Sequence, residues 1–227
     1  MRPRGPSAET LIIPASASLD SSVYIWLWVA GQTLASEVSK RLSRSYVRTF
    51  LPWIVFAVLP SGQWQWAALA GLLAAVAVTV QQRRAGAGFD ALIIEIGSAV
   101  FFAALTVIAF ADPHSGVHGY SAALSSAALA LVAGVSLLVG KPFTLGIAKR
   151  TTPREVWGLR PFVRTNAVIT GAWTAAFAVT AAALAALAHA GHGHSVSATL
   201  VQAAGFVVPM LFTVRYVAAV QARTGAR

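Results

Sequence analysis

Cysteine is absent from the 227 residues. That excludes disulfides, thiolate metal sites and a cysteine nucleophile. Carboxylates are scarce as well, with seven Asp and Glu against 17 Lys and Arg. Only Glu95 lies within an apolar stretch, so a paired-carboxylate active site has nothing to draw on. Charged residues make up 11% of the chain, where a soluble domain carries about 25%. A Walker-type loop, G-x-S-x-G, HExxH and a haem-attachment motif are all missing. These absences point away from an enzyme and from a resident cofactor, and the expectation is a non-enzymatic protein.

What is present is apolar: hydrophobic residues account for 57% of the sequence. The net charge of +10 is not spread over it. After Arg4, every Lys and Arg falls into one of four clusters. Lys40, Arg41, Arg44 and Arg48 form the first, and Arg83 with Arg84 the second. Lys141, Lys149, Arg150, Arg154, Arg160 and Arg164 form the third, and Arg215, Arg223 and Arg227 the fourth. The apolar segments between clusters are long enough to cross a bilayer twice. That is the positive-inside pattern of a multi-pass membrane protein. The same placement excludes nucleic acid as a partner, because the charges flank apolar spans instead of lining one face of a soluble domain. They fit topogenic signals that also contact anionic lipid headgroups at the cytoplasmic face. Arg far outnumbers Lys and Ala is abundant, the composition of a GC-rich bacterial genome. The expected location is therefore a bacterial cytoplasmic membrane, with both termini in the cytoplasm.

The fold class expected is all-α, a polytopic transmembrane bundle of about six spans. Residues 1–20, rich in Pro, Ser and Ala, read as a disordered tail. Residues 21–45 hold a short apolar run at 23–35 followed by the first basic cluster. We read that run as an interfacial or re-entrant helix, with a signal-peptide core and an additional span as alternatives. The transmembrane domain covers 46–217, with spans near 47–60, 63–80, 91–111, 120–140, 166–188 and 196–214, and 218–227 is a second tail. The first span is short. It must nonetheless cross, because otherwise the first two basic clusters would lie on opposite sides. Pro209 is expected to kink the last span. Gly71, Gly97, Gly134 and Gly171 read as close-packing positions.

All five histidines fall in the two outer loops: His114 and His118 beside Asp112, and His189, His192 and His194 in HAGHGHS. Convergence of these six residues would suit a divalent metal such as Zn, Cu or Ni. Otherwise they are polar loop residues, or pH sensors, since histidine titrates near neutrality. Glu95 is costly inside a span, by about 2.5–3.5 kcal/mol for the comparable Asp on insertion scales. It is expected to pair with Arg83 or Arg84, with a proton or cation relay as the alternative. Asn166 and Thr170 are expected to hydrogen-bond across helices. The segment 141–164 is amphipathic and broken by Pro142, Pro153 and Pro161. It reads as two short interfacial helices. Lys141, Phe143, Arg154, Trp157 and Arg160 are its candidates for docking a partner.

The order of elements resembles a known family. A short span containing Leu51-Pro52-Trp53 leads into a return span closed by Gln81-Gln82-Arg83-Arg84. Then come Ala111-Asp112, Gly140-Lys141, the Pro153/Trp157 loop and NAVITGAW at 166–173. Over roughly residues 44–190 this is similar to the bacterial intracellular septation protein A family. The Ala- and His-rich outer loop and the N-terminal extension depart from that pattern. The resemblance implies a septation- or cell-envelope-related scaffold that contacts other membrane proteins or a second copy of itself, with no catalytic residues. The alternative is a small transporter or metal-handling protein using the histidine loops.

Overall fold

The computed structural model describes residues 47–59, 61–150 and 152–225. The tail at 1–20 and the apolar run at 23–35 lie outside them. Among the described residues there are seven α-helices, a few 3-10 turns and no strand. The helices are α1 (Val47–Val58), α2 (Trp64–Arg84), α3 (Ile93–Ala111), α4 (Ser121–Leu138), α5 (Phe143–Lys149), α6 (Arg160–His189) and α7 (Val196–Gly225). Five of them are long and apolar enough to cross a membrane: α2, α3, α4 (with the turn before it), α6 and α7. The protein is thus an all-α, multi-pass membrane bundle.

Three helix ends are set by glycine. Gly86, Gly140 and Gly191 have φ of 84°, 71° and 77°, a region open to glycine without steric cost. After each, the next amide folds back onto the carbonyl five residues earlier: Ala87 onto Gln82, Lys141 onto Ser136, His192 onto Leu187. This satisfies carbonyls that the ends of α2, α4 and α6 would otherwise leave open.

Up-and-down order follows from side-chain links at the two ends. Arg48 donates to Gln81 (2.6 Å), joining the start of α1 to the end of α2. Arg150, just after α5, reaches Glu95 at the start of α3. At the other end, Trp64 Nε1 donates to Pro113 O (2.8 Å), and His118 meets His194. Arg48, Arg83, Arg84, Lys141, Arg150, Arg160, Arg164 and Arg215 therefore gather at one end and the histidine loops at the other.

α1 is about 18 Å long, too short to cross alone, and it is wedged into the bundle. Phe50 stacks on Trp173 of α6 (centroids 5.0 Å) and meets Phe143 of α5 and Phe206 of α7 edge-on. Trp53 stacks on Phe101 (5.0 Å) and donates to Ser98 Oγ (2.8 Å), both on α3. The outward faces stay apolar: Leu73, Val100, Leu131 and Val179 are each more than half exposed, as a lipid-facing surface requires. Among the glycines expected to mediate packing, a Cβ on Gly71 would lie 2.8 Å from the Phe102 ring, and one on Gly97 2.6 Å from Val132. Gly134 is looser, with Thr174 at 3.4 Å, and Gly171 has room, with Leu137 at 4.0 Å.

The 141–164 segment departs from expectation. α5 is not a lipid-surface helix: Phe143, Thr144, Gly146 and Ile147 are buried, and a Cβ on Gly146 would sit 2.8 Å from Ala91 Cα. The expected second short helix is a single 3-10 turn, Arg154–Val156. The residues after it join α6, which begins at Arg160, before Asn166, because Pro161 falls in the first turn, where its missing N–H costs nothing. α7 passes through Pro209 and continues to Gly225, beyond the span expected at 196–214.

Candidate functional site

Polar groups collect at both ends of the bundle. At the basic end the centre is Glu95, in the first turn of α3 and 2% exposed. Its Oε1 accepts hydrogen bonds from Gln82 Nε2 (2.7 Å), Arg150 Nη2 (2.9 Å) and Thr49 Oγ1 (3.2 Å). Arg150 also donates to Thr49 Oγ1 and to Ala91 O, each at 3.3 Å. One carboxylate therefore joins α1, α2, α3 and the end of α5. A negative charge in the first turn of a helix is favoured by the macrodipole, and the guanidinium offsets the cost of burial.

The expected ion pair is real, but its partner is Arg150, not Arg83 or Arg84. Arg83 lies 4.0 Å above the Phe89 ring and donates to Ala87 O. The end of α2 contributes its neutral Gln82 instead. Arg150, Gln82 and Thr49 were not singled out by sequence. Arg150 sits in a basic cluster like its neighbours, and the partners are 55 residues apart. With three donors on one oxygen, Glu95 clamps these segments together.

Next to it, Thr144 Oγ1 donates to Asn166 O and shares a hydrogen bond with Thr170 Oγ1, both at 2.8 Å. Thr170 thus bonds across helices as expected. Among the described residues the Asn166 side chain does not: it donates to Phe162 O of its own helix. Trp173 Nε1 donates to Thr213 Oγ1, tying α6 to α7.

Beyond the clamp is the candidate docking segment. Trp157, partly buried, donates to Thr152 O (3.0 Å). Lys149 Nζ and the Arg154 guanidinium lie 5.2 and 5.7 Å from its ring centre, within cation–π range. Lys141, Arg154 and Arg160 are exposed. Phe143 is 3% exposed and packed in the core, so it belongs to the bundle and not to a docking face.

At the other end, His118 stacks on Trp64 (centroids 5.2 Å) and lies 4.6 Å from the His194 ring. Both line a cavity of about 230 Å³ with Ser121, Thr199 and Gln202. The other outer-loop residues stand apart from it. Asp112 accepts from the His114 backbone N–H (3.1 Å), and His189 and His192 are exposed. Among the described residues, no three His, Asp or Glu side chains gather as a metal site would need. Of the six residues expected to converge, His118 and His194 are brought into contact. Comparison with protein-family models, curated proteins and solved structures found no match to this chain.

Proposed function

We propose that this protein is a non-enzymatic scaffold of the bacterial cytoplasmic membrane, serving the cell envelope or septation as the septation protein A resemblance implies. Its basic end faces the cytoplasm in this reading, as the positive-inside rule directs. One observation supports it above the others. The Arg150–Glu95 clamp fixes α5 to the bundle, and just beyond it Lys149 and Arg154 both lie within reach of the Trp157 ring. An aromatic flanked by cations on an anchored loop has the composition of an interaction hot spot, and its partner would be an acidic or amphipathic segment of another membrane protein.

The test is complementation of a gene deletion in the native host. Trp157→Ala and Arg154→Ala should fail to restore normal cell length and septum placement, while Glu95→Gln should restore them. The reverse pattern would sink the scaffold reading.

The His118/His194 cavity favours a second reading, a small transporter or divalent-metal handler. Two imidazoles with hydroxyl and amide neighbours suit a borderline ion such as Zn²⁺. Calorimetric titration of the purified protein with zinc decides it. Heat that vanishes in His118→Ala/His194→Ala supports that reading, and binding no different from the variant removes it.

A further inference from the structure

Arg160 and Arg164 are exposed and one turn apart at the start of α6. Like charges at that spacing repel, and cations at a helix start oppose its macrodipole. No acidic residue sits in the first turn of α6. Among the described residues, no carboxylate pairs with Arg160, Arg164 or the exposed Arg215. Positive charge is thus concentrated where no carboxylate among the described residues balances it.

The same residues border a groove. Arg160 and Arg164, with Pro161, Val163 and Tyr216, line a space of about 670 Å³ between the start of α6 and the end of α7. Tyr216 also closes a second space of about 510 Å³, which runs along α7 past Arg215 to Phe212, Leu211 and Val208. The two spaces adjoin at Tyr216, and the track they make runs from Arg160 to Val208. Arg160 and Arg164 line its basic end, Arg215 lies along α7 on the far side of Tyr216, and an apolar floor extends roughly 12 Å towards the middle of the bundle. Val208 and Leu211 are 60% and 54% exposed, so that floor faces the hydrocarbon.

We propose that this track binds one anionic phospholipid taken from the bilayer. The phosphate sits among Arg160, Arg164 and Arg215, and an acyl chain lies over Leu211 and Val208. Guanidinium groups match phosphate oxygens two at a time, and basic pockets between transmembrane helices at the headgroup level suit such lipids. Charge complementarity and the apolar floor together select a lipid over a soluble anion, which would leave the floor unused. Arg83 and Arg84 show the contrast. They carry charge at the same end, but Arg83 is occupied by Phe89 and Ala87 O.

The full chain in detergent micelles would be titrated with phosphatidylglycerol and, separately, phosphatidylcholine, with bound lipid counted by native mass spectrometry. One phosphatidylglycerol should bind tightly. Arg160→Gln/Arg164→Gln/Arg215→Gln should weaken it about a hundredfold, while Arg83→Gln/Arg84→Gln should change it less than about twofold. Leu211→Asp, which keeps all three arginines, should also lose the lipid. Should the triple variant fail to fold, Arg164→Gln alone should cost about fivefold. Equal binding of the two lipids, or unchanged binding in the arginine variants, overturns the proposal. Displacement of phosphatidylglycerol by millimolar inorganic phosphate also overturns it, since the site would then be one for a free anion.

Discussion

Removing Arg150 should destabilise the bundle far more than neutralising its partner. The pair is separated by 2.9 Å. At an effective dielectric of about 20 the attraction is roughly 6 kcal/mol, opposed by desolvation of several kcal/mol per ion. The net worth of the intact pair is therefore modest. One-sided removal is different. Arg150→Met leaves a carboxylate 2% exposed, with the neutral Gln82 and Thr49 as its remaining donors among the described residues, and should cost about 3–5 kcal/mol. Glu95→Gln keeps a carbonyl oxygen where Oε1 was, so those donors retain an acceptor, and the loss should be about 1–2 kcal/mol. The cycle closes with Glu95→Gln/Arg150→Met, which strands no charge and should be at least about 2 kcal/mol more stable than Arg150→Met alone. The measurement is unfolding by SDS titration from dodecylmaltoside micelles, with helicity followed by far-ultraviolet circular dichroism. The reasoning fails if Arg150→Met costs less than about 1 kcal/mol, or costs the same whether residue 95 is Glu or Gln.

In the same unfolding assay, Gly146→Ala should lose about 1–3 kcal/mol, because the new methyl would meet Ala91 Cα at 2.8 Å and its carbonyl oxygen at 3.0 Å. Gly62→Ala, with nothing within 4 Å, should be silent, and equal effects at the two positions would refute the packing argument. Thr144→Val should cost about 1–2 kcal/mol by deleting the bonds to Asn166 O and Thr170; a neutral result would mean that these two bonds do not hold α5. Trp157→Ala should release the segment around Pro153, seen as faster tryptic cleavage after Arg154 in folded protein. An unchanged rate would show that the indole does not hold that segment.

The helical class and up-and-down order were legible because lipid imposes length and charge rules on a span whatever it packs against. The glycines at 86, 140 and 191 fall just past apolar segments, where helices end. The environment of α5 was hidden for a related reason. Phe143 and Ile147, one turn apart, give an apolar face, and in a membrane protein such a face is equally at home against lipid or against helices. Burial came from Gly146 fitting against Ala91, which periodicity does not encode. The histidine loops kept their side of the bundle. However, only His118 and His194 meet, because Asp112 turns back onto the amide of His114 and His189 remains on the exposed surface of α6.

The buried charge is intelligible once the two short helices are considered together. α1 has 12 residues and α5 has seven, neither long enough to place both ends in water. Backbone and polar groups near such ends must be satisfied inside the protein. At the basic end, Arg150 supplies donors to Ala91 O, Thr49 Oγ1 and Glu95 at once, so the start of α1, the start of α3 and the end of α5 share one cation. A purely apolar junction there would leave Thr49 and Ala91 O without those donors, and Glu95 is the counter-charge that lets Arg150 lie among them. The ion pair then satisfies polar groups that two incomplete helices bring to this junction. That is why its loss should be read first in stability and only through stability in function.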